Sequence, residues 1–323
     1  LNGPSKKTLS YLIKAVVLLL AGVFIYRRLS NKHDLVQFHK LLSGIDHTRS
    51  MLIMSAVFLL MLLNWGLEAA KWRHLTKKLA PISFWEATEA VFCGLTWAIF
   101  TPNRIGEYGG RVLFLPPRKR IHGVFAMAVG SFGQNVITNV LGLGAIQWFI
   151  WTYLHLDLWL NILFLAGAIA FSVFITVLYF KIRLLVALLN HVKFLRRFHR
   201  FFDIMGRYRF MELVRTMAFC LARFAVFSFQ YYIIIHLLIP AIPFYEVFLM
   251  VFIFLFIQSA LPSLDLLDIG VRSITAVTLF TYVTDQKIAV MAAVSAIWLV
   301  NSIIPAILGS AFIFNLKFFD NNS

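Results

Sequence analysis

Long apolar runs, broken by short polar and mostly basic loops, set the pattern of this chain. At least seven of them approach the roughly 20 residues that a helix needs to cross a bilayer. The pattern predicts membrane helices at 11–26, 50–70, 84–101, 122–151, 158–180, 217–238, 244–261 and 288–314. A shorter apolar piece, 273–284, follows a proline and charged residues, as does the chain beyond Thr101. Both read as returning arms of broken or re-entrant hairpins rather than full crossings. The expected fold class is an all-α polytopic membrane protein with about seven to eight membrane segments, two broken or re-entrant hairpins among them. No cleavable signal pattern stands out at the start, so Tyr11–Tyr26 reads as a retained first span.

The polar positions inside this pattern carry the candidate chemistry. The stretch TPNRIGEYGGR, residues 101–111, puts three charges, three glycines and a proline at the end of an apolar segment. Ser83-Phe84-Trp85-Glu86 is a capping-box pattern that opens the preceding helix. Thr101-Pro102 predicts the start of a new one, because threonine caps first amides and proline fits the first helical position. A helix start held inside a membrane presents free N–H groups and attracts anions, phosphate above all. Arg104 in that first turn would add a fork of donors. Arg104, Glu107 and Arg111 share one helical face, so Glu107 can pair with both arginines and lower the cost of burying three charges. Gly106, Gly109 and Gly110 leave this helix thin enough for a close neighbour or a ligand. A membrane-edge cap whose charges reach water is the alternative.

A second set follows in LPSLDLLDIGVRS, residues 261–273. Asp265, Asp268 and Arg272 repeat the spacing of Arg104, Glu107 and Arg111 with the signs reversed. The sign reversal suggests an inverted repeat, with broken helices meeting near the midplane. Arg104 and Arg111 would then hold a phosphate, and Asp265 and Asp268 an ammonium group; mutual pairing of the two sets is the competing expectation. Ser131, Asn135, Thr138 and Asn139 fall on one stripe of the 122–151 segment, with Gly142 a turn further. Gln258, Ser259, Asn301 and Ser302 add polar positions elsewhere in spans, each of which serves helix–helix hydrogen bonding as readily as a ligand. The candidate substrate-binding set is Pro102, Asn103, Arg104, Glu107, Arg111, Asn135, Asn139, Asp265, Asp268 and Arg272. Glu68 beside Lys71 reads as an interfacial ion pair, and Trp65, Trp72 and Trp85 read as interface anchors.

Charge refines the picture. The chain has 323 residues and a formal charge of +16. In so apolar a chain that charge points to cytoplasmic loops against anionic lipid, not to nucleic acid. With both termini cytoplasmic and both broken segments re-entrant, the cytoplasmic parts hold 21 Lys and Arg and the outer parts six. That bias favours both termini inside the cell, although the five basic residues of 27–49 run against it. Residues 181–216 alternate Lys and Arg with Leu and Phe, as a segment lying on an anionic leaflet would. The chain thus reads as one membrane domain over 1–323. Its first half, 1–180, carries the 101–111 motif; a basic amphipathic linker covers 181–216; the second half, 217–323, carries 261–273. Cys93 and Cys220 lie in apolar segments, and His33, His39 and His47 are irregularly spaced, so neither a disulfide framework nor a metal site is expected. There is no P-loop and no expected cofactor.

Residues 67–115 carry a resemblance to the lysylphosphatidylglycerol synthase transmembrane, or flippase-like, family. It rests on Lys71-Trp72-Arg73 with Leu75, on Gly94, and on Pro102-x-Arg104-x-Gly106-Glu107 followed by Arg111. Pro262 with Gly270-Val271-Arg272 is similar to the family's second motif. Asn103 stands where the first motif usually has glycine, Leu266 and Leu267 where the second has paired glycines, and Ser273 where it ends in glutamate. The resemblance implies a stand-alone lipid-handling protein of the cell membrane without the soluble synthase domain. It would move a phospholipid, anionic or amino-bearing, or a lipid-linked headgroup between leaflets without its own ATPase. An integral membrane transferase acting on a lipid headgroup, with Glu107, Asp265 or Asp268 as base, is the alternative; a non-transporting partner subunit is a third. A homo-oligomer is compatible with any of them.

Overall fold

The computed structural model describes residues 47–99, 101, 104–191, 204–261 and 268–312. Among these, every regular element is helical and no strand occurs. The expected span 11–26, the linker 27–49 except its last residues, and Pro102, Asn103, Pro262 and Asp265 lie outside the described residues. Asp268 begins a helix, but its side chain is outside them too.

In chain order the helices are α1 (His47–Thr76), α2 (Phe84–Ala98), α3 (Ile105–Val112), α4 (Arg120–Phe149), α5 (Leu158–Phe180) and α6 (Ile182–His191). They continue with α7 (Phe210–Leu238), α8 (Phe244–Ala260), α9 (Asp268–Phe280), α10 (Lys287–Trp298) and α11 (Ile304–Phe312). A π turn, Leu299–Ile303, joins α10 to α11 as one rod, and another, Ile150–Leu154, ends α4. Five helical stretches are long and apolar enough to cross a membrane: α1, α4 with its flanking turns, α5, α7, and the α10–α11 rod. This is a polytopic, membrane-type architecture. The shorter α2, α3, α8 and α9 measure about 22, 12, 26 and 20 Å at 1.5 Å per residue, each less than a full hydrocarbon core of about 30 Å.

Local chemistry sets several boundaries. The Ser83 capping box forms, with Glu86 N–H donating to Ser83 Oγ at 3.1 Å and Ser83 N–H to Glu86 Oε2 at 2.7 Å. α5 coincides with its expected span. α7 begins seven residues before its expected span, because Glu212 and Arg215 extend the helix into a polar region that hydropathy does not count.

Side-chain bridges sort the helix termini into two ends. At one end Tyr208 Oη donates to Leu75 O at 2.7 Å, Lys78 pairs with Glu212 at 2.5 Å, and Tyr179 Oη donates to Leu213 O at 3.3 Å. Burial pushes the Tyr208 phenol far above its ordinary range, which keeps it a neutral donor. Trp85 and Phe312 stack edge to face here at 5.8 Å. This end gathers the C-termini of α1, α5 and α11 and the N-termini of α2 and α7, and it is rich in Lys and Arg. At the other end Trp148 meets Tyr245 at 6.4 Å, Phe149 meets Tyr282 at 4.7 Å, and Tyr232 meets Phe244 at 5.1 Å. That end collects the C-termini of α4, α7 and α9 and the N-terminus of α8. The α2–α3 pair therefore opens toward the basic end and the α8–α9 pair toward the opposite one.

A continuous apolar core runs between α1, α2, α4, α7, α8, α9 and α10. Small residues allow its closest crossings. A Cβ on Gly110 would come 2.6 Å from Gly94 Cα, so α2 and α3 touch backbone to backbone. Gly309 of α11 lies directly on the Phe92 carbonyl, and Thr96 Oγ1 donates across that crossing to Ala306 O at 2.9 Å. α5 is the exception, an outer helix with almost its whole circumference exposed.

Candidate functional site

α2 ends at Ala98 and the chain turns back at once. Thr101 Oγ1 donates to Trp97 O at 3.2 Å and accepts the Gly106 N–H at 2.7 Å, tying the end of α2 to the first turn of α3. Threonine does cap an early amide, as its position suggests, but α3 starts later than expected. Arg104 is not in the first turn; it is the residue before the helix, in the left-handed region at φ 56°. A non-glycine residue there is uncommon. The compact reversal requires it, because Gly106 is pressed against the Trp97 carbonyl.

From that reversal a chain of ion pairs runs inward. Arg104 Nε lies 3.2 Å from Glu107 Oε2, and Glu107 Oε1 pairs with Arg111 Nη2. The other fork of Arg111, Nη1, reaches Glu68 Oε1 on α1 at 2.5 Å. Glu68 Oε2 takes Lys71 Nζ at 2.7 Å and also pairs with Arg223 Nη1 of α7. Arg223 Nε donates to Asn64 Oδ1 at 3.1 Å, and its guanidinium lies 5.2 Å from the centre of the Trp65 ring. Asn64, Glu68 and Lys71 follow at four and three residues, which places them on one face of α1. Gly94 makes room for the bridge, since a Cβ there would meet Arg111 Cγ at 2.9 Å.

The cluster joins two carboxylates to four cations, an excess of two positive charges among the described residues. Its members differ in access. Glu68, Lys71 and Arg111 are buried, with 5 %, 5 % and 2 % of their side-chain surface exposed, whereas Arg223 keeps 16 % and Arg104 32 %. Arg111 Nε has no acceptor although it is buried. Charges taken out of water need partners; an excess of cation beside an accessible edge is suited to a bound anion.

The structure brings together Arg104, Glu107 and Arg111 of the expected set. Asn135 and Asn139 stand apart. Asn139 Nδ2 donates to Asn135 O at 2.7 Å within α4, and neither residue bonds to the cluster. Ser131, one turn earlier, does reach the hairpin by accepting from Tyr108 Oη at 3.0 Å. Arg272 is half-buried on α9.

Three expectations need correction. The Glu68–Lys71 pair forms, but buried within the helices as the hub of the cluster and not as an isolated pair. Trp65 and Trp72 are not interface anchors; they are 5 % and 1 % exposed, packed in the core, and only Trp85 is out at 61 %. Arg223, Glu68 and Asn64 were absent from the expected set. Their signal was a charge or amide within an apolar helix, as for Arg223 in the expected span 217–238.

Among the described residues no group of His, Cys, Asp and Glu could hold a metal ion. The family model for the lysylphosphatidylglycerol synthase TM region matches residues 11–309, and the chain belongs to that family. No curated protein matches the chain.

Proposed function

We propose that this family member moves a phosphate-bearing lipid between leaflets, using the excess positive charge of the Arg104–Glu107–Arg111–Glu68–Arg223 network to hold the phosphate. The cluster carries the proposal: among the described residues four cations meet two carboxylates, shared by α1, α3 and α7, with Arg223 and Arg104 on its more accessible side. Family membership supports a lipid as the ligand.

The α2–α3 and α8–α9 pairs would be hairpins that enter the bilayer from opposite faces and return. Their shortness and their opposite openings support this. So does the packing of α2 on α11, which has its counterpart in α8 on α4, as an inverted repeat requires. The basic end would be cytoplasmic by the positive-inside rule. The phosphate would exchange its water for Arg104 and Arg223 while the acyl chains remain in lipid, and rocking of the two halves would change the open side.

A transferase is less well supported. Glu68 is committed to three cations and Glu107 to two, so neither is poised to take a proton.

In proteoliposomes carrying a fluorescent phospholipid, Arg104→Gln and Arg223→Gln should each slow translocation about tenfold, the loss expected for one charge-assisted hydrogen bond. Unchanged rates in both variants would remove the cluster from transport.

A further inference from the structure

At the end opposite the basic one, four aromatic residues and one acid converge where α4, α8 and the turn after α9 meet. Trp148 and Tyr153 lie 5.6 Å apart with planes at 87°, and Trp148 and Tyr245 lie 6.4 Å apart at 89°. Tyr282 closes a further side, 5.6 Å from Tyr153. Phe149 backs the group, 4.7 Å from Tyr282 and 5.2 Å from Tyr153.

The backbone is irregular where the group forms. On an α-helix Trp148 and Tyr153, five residues apart, would point about 140° away from each other. The π turn Ile150–Leu154, with hydrogen bonds between residues five apart, widens the helix, and the two rings meet on one side of it. His155 then ends the helix in the left-handed region at φ 44°.

A carboxylate completes the group. Glu246 follows Tyr245 on the first turn of α8, accepts its hydroxyl at 3.2 Å, and interacts electrostatically with Tyr153. Among the described residues, no Lys, Arg or His pairs with Glu246. Asp157 and Asp285 lie at the same end, with Lys287 as the nearby cation in sequence.

Aromatic anchors of a membrane interface spread around the perimeter, each ring meeting headgroups singly. These rings instead pack on one another, Trp148 nearly at right angles to Tyr153 and Tyr245, and Tyr282 tilted at 59° to Tyr153. Two stay accessible, Tyr245 at 55 % and Tyr282 at 48 %, while Trp148, Phe149 and Tyr153 are half-buried. Clustered ring faces beside a carboxylate that no described cation neutralises attract an organic cation, through the ring quadrupoles and the full negative charge together. We infer that Trp148, Tyr153, Tyr245 and Tyr282, with Glu246, form a binding site for an alkylammonium group, either a lipid headgroup amine or a soluble amine. The site uses no residue of the cationic cluster and does not depend on the transport reading.

The test uses the full chain in maltoside micelles, titrated calorimetrically with tetramethylammonium chloride and with ethanolamine hydrochloride, and with potassium chloride as the ionic-strength control. Saturable binding of either amine is expected. Glu246→Gln and Trp148→Leu should weaken it about tenfold, and Arg104→Gln should leave it unchanged. If Trp148→Leu fails to fold, Glu246→Gln alone decides, since among the described residues that carboxylate bonds only to the exposed Tyr245 hydroxyl. Native mass spectrometry separates the sources. Wild-type retention of phosphatidylethanolamine or phosphatidylcholine over phosphatidylglycerol, lost in Glu246→Gln, supports a lipid headgroup; binding of the soluble amines alone supports a free amine. Amines that bind no better than potassium, or that bind Glu246→Gln as well as wild type, leave these rings as interface anchors and overturn the site.

Discussion

Glu68 is the residue on which the cluster turns. One carboxylate answers Lys71, Arg111 and Arg223, and no other acid stands within hydrogen-bond reach of Lys71 or Arg223 among the described residues. Removing one side of a buried pair costs about 3–5 kcal/mol, because the remaining charge keeps its desolvation penalty without its partner. Glu68→Ala should therefore unfold well below wild type in a detergent melting assay, and Glu68→Ala with Arg223→Met should recover part of the loss. Equal melting of wild type and Glu68→Ala would place these charges in water. What the sequence made legible here was local. The pairing of Arg104 and Arg111 through Glu107 follows from spacing on one helix, and it appears. The link from Arg111 to Glu68 spans 43 positions, and that from Arg223 to Glu68 spans 155, so both depend on how helices pack. The same limit explains Trp65 and Trp72. Tryptophan near the end of a span suits both the interface and a helix contact, and α1 turns Trp65 toward Arg223 of α7 and Trp72 toward Gly123 of α4.

At the scale of elements, the α2–α3 hairpin is held by close backbone contact more than by side-chain volume. Its outer partner α11 crosses α2 at Gly309, against the Phe92 carbonyl and Thr96. A branched side chain at that crossing has no space, and forced overpacking costs about 1–3 kcal/mol or more. Gly309→Val should lower the melting temperature and also slow the proposed lipid translocation, since it displaces α2, to whose end the first turn after Arg104 is tied through Thr101. Gly167→Val on the outer face of α5, with nothing within 4 Å, should leave both unchanged. Comparable losses in the two variants would mean that the α2–α11 crossing is looser than it stands here. Hydropathy located the membrane-length helices well because burial in lipid is a property of local composition. It was poorer at their polar extensions: α1 continues to Thr76, and α7 begins at Phe210 on residues too hydrophilic to register. The π turns were invisible, since no residue type marks a widened turn. Yet one of them sets the aromatic group around Tyr153.

For the whole molecule the decisive question is whether α2–α3 and α8–α9 each return to the face they left. α2 begins beside the end of α1, where Lys78 meets Glu212, and α3 ends where Leu115 packs against Gly123 at the start of α4. Both lie at the basic end. α8 begins by Tyr232 and α9 ends by Phe149, both at the aromatic end. A crossing helix would separate its termini; a re-entrant hairpin keeps them on one side. The native Cys93 and Cys220 are buried, so introduced cysteines can be read above a low background. Lys77 and Arg118 flank the first hairpin, Ala241 and Asp285 flank the second, and all four are exposed. With a maleimide that does not cross the membrane, added to intact cells, Ala241→Cys and Asp285→Cys should react. Lys77→Cys and Arg118→Cys should react only after the cells are opened, as the excess of basic residues at that end requires. Labelling of all four with the sides exchanged would keep the hairpins and reverse the orientation. Labelling of Lys77→Cys and Arg118→Cys from opposite faces would make α2–α3 a crossing segment. In that case Arg104 would not sit at the tip of a re-entrant hairpin, and the proposed phosphate site would have no access from within the bilayer.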